Sequence, residues 1–254
     1  MRAACRLMAA TALVTGASGL VRPSVIVHFV RHGQAAHNVR AEGKREAGCS
    51  HEEFIEAMKE DDALDADLTE LGRDQARAVA ERVRLPSVEL VLCSSLSRAV
   101  ETACLVFREQ ASLHVPFVSY EGLREWNGYL LNGKRRPRAE LESRFGEIVD
   151  FSGIPEGETT WTETLETESQ VAARGIQFLE WLSARPELEV AVVAHGGIYS
   201  TLFAHDAVRD EDNFLAPRFG NCELRSVEMH VEQGAGAAGA SVFRFRRLAV
   251  SSGS

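Results

Sequence analysis

The chain is predicted to fold as an α/β protein, and three stretches carry that prediction. Val25-Ile26-Val27-His28-Phe29-Val30, Val88-Glu89-Leu90-Val91-Leu92-Cys93 and Val190-Ala191-Val192-Val193-Ala194 are short, apolar and rich in β-branched residues. Each reads as a strand buried on both faces of an open sheet. Each ends in a polar turn: Arg31-His32-Gly33, Ser94-Ser95-Leu96-Ser97-Arg98 and His195-Gly196-Gly197. In open α/β sheets ligands bind beyond the carboxyl ends of strands, so the three turns are candidates for one site.

The 254 residues suffice for one large domain with a sizeable core. Apolar residues make up 45% and charged residues 26%, the balance of a folded globular chain. Twenty-eight Lys and Arg against 37 Asp and Glu give a net charge of −9, which argues against nucleic-acid and membrane-surface partners. Positive potential for an anionic ligand must then be local. The five cysteines, Cys5, Cys49, Cys93, Cys104 and Cys222, are odd in number and lack C-x-x-C spacing. Reduced thiols in a cytoplasmic compartment are expected. No apolar run reaches the roughly eighteen residues of a membrane span.

In chain order, residues 1–23 read as an N-terminal extension ahead of a domain over 24–254. Arg2 and Arg6 before a mildly apolar stretch make an organelle or secretory targeting segment the alternative. Val14-Thr15-Gly16-Ala17-Ser18-Gly19 imitates a dinucleotide-binding turn, but a strand follows where a helix is required and the final glycine is missing. The first strand delivers a permanent cation, Arg31, and an imidazole, His32, to its mouth. That pair suits an anionic substrate and a nucleophile or base. Residues 38–59 are polar, with a helical piece at 52–58, and read as an excursion over this face; the charged run Lys59-Glu60-Asp61-Asp62 reads as a solvated edge.

Thr69 is a helix N-cap candidate, and Leu71, Gln75, Ala78, Val79 and Val83 keep helical spacing to about Arg84. The second strand leads to Arg98 at a helix start, where unpaired N–H groups favour anions. Residues 115–118 read as a further short strand leading to Glu121 and Glu125, carboxylates suited to general acid work. Lys134, Arg135, Arg136 and Arg138 are candidates for the local positive potential, with a solvated helix start as the alternative. A loop over 153–160 precedes an amphipathic helix over 163–185, with Trp181 assigned to the core. His195 stands before a helix over 198–204. Residues 222–231 and 242–250 read as a terminal hairpin around a Gly/Ala loop. His28 and His32 share a strand face, but no third ligand follows the pattern, so no metal is expected.

Together these motifs resemble those of the histidine phosphatase superfamily, in its phosphoglycerate-mutase-like branch. The resemblance rests on Arg31-His32-Gly33 with Asn38 six residues past His32, Ser94-x-Leu96-x-Arg98-Ala99-x-x-Thr102, Leu123-Arg124-Glu125, His195-Gly196-Gly197 and Leu68-Thr69-x-x-Gly72-x-x-Gln75. Gln34-x-x-His37-Asn38, the basic Lys134, Arg135 and Arg136, and Asp150-Phe151-Ser152 are most similar to the broad-specificity phosphatase-like subgroup of plants and fungi. The fold implied is a three-layer α/β/α sandwich around a mostly parallel sheet, with no metal or organic cofactor. Ala35 stands where many members place Ser or Thr, and Asn132-Gly133 where the subgroup has Cys-Asp; both departures bear on substrate preference.

The resemblance implies a phosphomonoester hydrolase whose partner is a small-molecule phosphate monoester. Arg31 and Arg98 would clamp the phosphoryl oxygens. Neutral His32 would attack phosphorus in line, giving a phosphohistidine. Glu125 would protonate the departing alkoxide and then activate water, with Glu121 as second choice. His195, protonated in the complex, would stabilise the equatorial oxygens, Asn38 would donate a further hydrogen bond, and N–H groups from Gly196 would add to the pocket. Lys134, Arg135 and Arg136 are candidates for holding the rest of the substrate. Mutase-type phosphoryl transfer is the runner-up, and a non-catalytic phospho-ligand binding protein is the third reading.

Overall fold

The computed structural model describes residues 24–59, 64–233 and 241–248. The 1–23 extension with its Gly-rich turn, the acidic run 60–62, the Gly/Ala loop and the last residues of the predicted final strand lie outside the described residues. Eight strands form one sheet: β1 (Val25–Arg31), β2 (Leu90–Cys93), β3 (Phe117–Ser119), β4 (Val149–Asp150), β5 (Glu189–Ala194), β6 (Val208–Asp210), β7 (Leu224–Gln233) and β8 (Ser241–Arg247). The helices are α1 (Ala36–Glu46), α2 (His51–Lys59), α3 (Glu70–Arg82), α4 (Ser97–Val106), α5 (Arg108–Ser112), α6 (Arg138–Phe145), α7 (Glu168–Ser183) and α8 (Gly196–Phe203). The spatial order is β4-β3-β2-β5-β1-β7-β8-β6. The first five strands are mutually parallel, and β7 is antiparallel to both its neighbours.

Both sheet faces are covered, which is why strand residues of both parities are apolar. On one face Val27, Phe29, Leu92, Val190 and Val192 pack against α7 and α8 through Phe178, Leu182, Ile198 and Leu202. On the other, Val30, Val91, Ala191 and Val193 pack against α3, α4 and α6 through Val79, Val100, Ala103 and Leu141. This is the three-layer α/β/α sandwich. Burying each such Val, Leu or Phe contributes roughly 1.5–3 kcal/mol before entropy is counted.

Helix starts follow local chemistry. The Thr69 hydroxyl accepts from the N–H of Gly72 and begins α3. Thr167 and Gln170 form a reciprocal capping box, so α7 starts at Glu168 and not at 163 as the apolar spacing alone suggested. The 38–59 excursion holds two helices where the sequence indicated one. α1 is almost entirely polar, and its N-cap, Ala35, has no side-chain acceptor; the Asn38 Oδ1 accepts from the Ala35 N–H in its place. The short edge strands β4 and β6 carry too few residues to show a period.

The turn after β1 is pinned to α3. Gln34 O accepts from Thr69 N at 2.9 Å, Gln34 N donates to Gln75 Oε1 at 2.9 Å, and Thr69 Oγ1 donates to Gln34 Oε1 at 2.8 Å. The Leu68-Thr69-x-x-Gly72-x-x-Gln75 pattern is therefore the clamp that holds Arg31-His32-Gly33 in place. A Cβ on Gly72 would sit inside the contact distance of the Gln34 carbonyl, which is backbone and cannot swing aside. Alanine gains about 1 kcal/mol of helix propensity over glycine, but overpacking against backbone costs more. Gly72→Ala is expected to destabilise by about 2 kcal/mol, read as a lower urea midpoint at unchanged slope.

Candidate active site

β5 lies between β2 and β1, so the three polar exits fall side by side. The His32 and His195 rings are 5.0 Å apart, and His37 in the first turn of α1 lies 6.1 Å from His32. His32 is buried, and its Nδ1 is 2.6 Å from the Gly33 carbonyl. A carbonyl only accepts, so Nδ1 carries the hydrogen and Nε2 keeps its lone pair. Burial, then the charges of Arg98 and Arg31, hold the His32 pKa well below the usual 6.5. The ring is neutral at physiological pH.

His195 is fully buried, with Nε2 2.7 Å from Ser94 Oγ. Burial, then Arg98 and the neighbouring His32, hold it well below 6.5 as well. In the unliganded protein it is neutral, and the Ser94 hydroxyl, which can donate or accept, holds its Nε2. The neighbouring ring is fixed by a relay: Asn38 Oδ1 is taken by the Ala35 N–H, its amide NH2 faces His37 Nε2 at 3.0 Å, and His37 Nδ1 therefore bears the hydrogen. Burial and the two arginines keep His37 neutral too.

Arg31 donates through Nη1 to Phe219 O at 3.0 Å and through Nη2 to Glu42 at 2.9 Å. Arg98 donates through Nη1 to Asn132 O at 2.7 Å; burial pulls its pKa down to about 10, still a cation at neutral pH. The start of α4 is held by Asp65, whose two oxygens accept from the N–H and hydroxyl of Ser97 at 2.8 Å each. Arg31 Nε, Arg98 Nε and Nη2, His37 Nδ1, His195 Nδ1 and Asn132 Nδ2 are buried without a protein partner. Buried N–H groups without acceptors are costly and rare. Five of these atoms are fixed N–H donors, and with His195 Nδ1 they make a site beside a neutral imidazole for an anion with several oxygens.

Glu125 completes the lining. Its Oε1 accepts from the N–H groups of Trp126 at 3.0 Å and Ile198 at 2.9 Å, and its Oε2 from Gly197 at 2.9 Å. The carboxyl thus sits on the amino end of α8, one residue from His195. Arg174 of α7 holds the backbone beneath it, donating to the carbonyls of Gly122, Arg124 and Glu125 while paired with Glu166. A Cβ on Gly197 would collide with the Glu125 carboxylate and with Trp126. Gly197→Ala is expected to displace Glu125 and lower kcat roughly 10²-fold with little change in thermal midpoint.

Arg31, His32, Asn38, Arg98, Glu125 and Gly196 all line one cavity of about 330 Å³, with His195 packed against His32 at its base. Glu121 does not: it pairs with Arg124 at 2.9 Å and Arg135 at 3.4 Å outside the cavity. Lys134, Arg135 and Arg136, the candidate substrate contacts, are likewise absent from the lining. Lys134 lies over the Trp161 ring, and Arg135 is buried and bonded to the carbonyls of Arg136, Pro155 and Gly157. Arg136 pairs with Asp67 and Glu140. Carboxylates and carbonyls hold the two arginines, which stitch the loops together. The cations that line the cavity are Arg31, Arg98, Arg45 and Arg218, with Glu42 shared between Arg31 and Arg218.

His37 was present in the Gln34-x-x-His37-Asn38 pattern without a role, and Asn132 only as a departure from the subgroup; Glu42, Arg45 and Arg218 carried no signal in the sequence. His28, the other half of the considered metal pair, is occupied by Ser226 at 2.8 Å and Glu189 at 3.1 Å. Among the described residues, no group of three or more His, Cys, Asp or Glu is arranged to hold a metal ion. No helix among them is long and apolar enough to cross a membrane.

Residues 27–236 match the family model of the histidine phosphatase superfamily, branch 1. A phosphoglycerate mutase-like protein of Arabidopsis thaliana is 32% identical over 235 residues, covering 79% of this chain and 83% of its own. A glucosyl-3-phosphoglycerate phosphatase of Mycolicibacterium vanbaalenii is 29% identical over 181 residues, covering 69% of this chain and 71% of its own. Among solved structures, mycobacterial hydrolase 1 aligns over 89% of this chain and 98% of its own, with a TM-score of 0.54 at 21% identity. The mycobacterial glucosyl-3-phosphoglycerate phosphatase in complex with VO3 aligns over 88% and 98%, with a TM-score of 0.51 at 22% identity. At such identities these two are likenesses of fold. The family match over most of the chain and the Arabidopsis relative together place this protein in the histidine phosphatase superfamily.

Proposed function

We propose that the protein is a phosphomonoester hydrolase working through a phosphohistidine on His32. The observation that carries the proposal is the ring of unpartnered buried N–H donors around a neutral His32 whose Nε2 lone pair is free. Phosphatases among the relatives support the hydrolytic sense of the reaction.

Arg31 Nε, Arg98 Nε and Nη2, Asn132 Nδ2 and the Nδ1–H groups of His37 and His195 bind the phosphoryl oxygens, offsetting the charge that repels a nucleophile. His32 Nε2 attacks phosphorus, the P–N bond forms, and the ester P–O bond breaks with its electron pair leaving on oxygen. Glu125 gives a proton to that oxygen. Oε2 accepts one N–H where Oε1 accepts two, so Oε2 has the site left to hold the proton. In the second half Glu125 takes a proton from water, the oxygen adds to phosphorus, and the P–N pair returns to Nε2. His195 need not be charged for this, because with Ser94 donating to Nε2 the neutral ring keeps Nδ1–H as a donor.

A pentacoordinate phosphate mimic should occupy the same donors, and a fold relative binds VO3. Orthovanadate is expected to inhibit competitively and, at about 100 times its Kd, to stabilise by about 3 kcal/mol. Arg98→Ala should abolish both effects. Absence of competitive inhibition would count against the site. Efficient interconversion of phosphoglycerates with little phosphate release would favour the mutase reading, and ester binding without any release would favour the non-catalytic one.

A further inference from the structure

The cavity that holds the reacting groups has a second half that the mechanism does not use. Its remaining walls are mostly apolar: Phe54, Ile55 and Met58 from α2, Trp126 and Leu130 from the loop after β3, and Leu165 ahead of α7. The polar side chains there are His51, Ser200 and, at the Arg31 side, Glu42 with Arg45 and Arg218. Phe54, Ile55 and Met58 lie on one face of α2 and stay half-exposed, while Ala57 is buried. Arg45 lies 3.9 Å over the Phe54 ring, holding it in place from the rim. Phosphoryl binding uses the arginines and imidazoles, so the alcohol portion of the ester is left to face the apolar walls.

Resting on the phosphatase reading, we infer that the preferred substrates are phosphate esters of an apolar alcohol, an alkyl chain or a single ring, and not of a polyol or hydroxy acid. Each hydroxyl of a sugar or glycerate would lose its water against these walls with few partners to replace it, a loss of roughly tenfold or more per group. Each buried methylene gains about fourfold. Arg45 and Arg218 could instead serve a carboxylate on the substrate, which makes 3-phosphoglycerate the proper competitor.

The experiment is phosphate release from ethyl, butyl and hexyl phosphate, whose leaving groups have similar basicity, beside glycerol 3-phosphate and 3-phosphoglycerate. kcat/KM is expected to rise about threefold to fourfold per methylene, roughly 10²-fold from ethyl to hexyl, with both polar esters below butyl phosphate. Phe54→Ala and Leu165→Ala, on separate elements, should each reduce the hexyl-to-ethyl ratio about tenfold. A ratio cancels any loss common to all substrates, including one from imperfect folding. A flat series, 3-phosphoglycerate turned over faster than hexyl phosphate, or a ratio unchanged in both variants would overturn the inference while leaving the phosphatase reading intact. No phosphate from any of the five esters would overturn both.

Discussion

Replacing His32 by alanine is expected to lower kcat/KM for phosphate monoesters by roughly 10⁴-fold or more, with the fold retained. The size follows from the role: without an imidazole at this position no covalent intermediate forms, and water must attack a charged ester directly. Neighbouring groups offer no substitute. The rings of His37 and His195 each hold Nε2 against a protein partner, so neither has an Nε2 free to take the place of His32. The ring borders a cavity, so its loss leaves room for water and little strain; the thermal midpoint should change by only a few degrees. Turnover within tenfold of wild type would remove His32 from the chemistry.

Acidification from pH 7.5 to 5.5 is expected to destabilise the unliganded protein by several kcal/mol. His32, His37 and His195 have folded-state pKa values well below 6.5. The sign follows from proton counts. Below about pH 6.5 the unfolded chain binds protons on these imidazoles and the folded chain does not, so stability is full above that pH and falls as pH drops toward the depressed folded values. Each histidine contributes on the order of 1 kcal/mol per pH unit in that window. His28, lowered by burial against the pull of Glu189, adds in the same sense.

Paired carboxylates do not explain a change in this range. Burial pushes Glu158 the other way, but the hydrogen bond and charge of Arg124 hold it down to about 2, so it titrates far below the window. Asp65, raised by burial, has the opposite sign. Inorganic phosphate should flatten the dependence, because the anion favours the imidazolium forms. Urea midpoints at pH 7.5, 6.5 and 5.5, with and without phosphate, measure this; His37→Leu should remove about one histidine's share of the slope. Equal stability at all three pH values would contradict the charge state assigned to the site.

Much of this site could be read before folding. β1, β2 and β5 are buried on both faces, so hydrophobicity and β-branching marked them, and each ended where Arg31-His32, Arg98 and His195 emerge. Thr69 and Thr167 mark helix starts because capping is local. What could not be read depends on partners far along the chain. Lys134, Arg135 and Arg136 form a dense basic run, yet Asp65, Glu121 and Glu158 come from distant segments to satisfy that run and its neighbour Arg124. Arg45 and Arg218 are unremarkable in sequence and meet only because α1 and the segment before β7 converge on Glu42. α1 eluded the apolar period because its buried side chains are mainly polar: His37 and Asn38 beside Ala41.

The most direct test of the account is to trap the intermediate. In Glu125→Gln an aryl phosphate, whose leaving group needs little protonation, should still transfer its phosphoryl group, while attack by water slows. Rapid quenching in alkali and peptide mass spectrometry should then find one acid-labile phosphoryl group per chain, on His32. An unmodified His32 under conditions where the aryl alcohol is released, or a phosphoryl group on another residue, would contradict it.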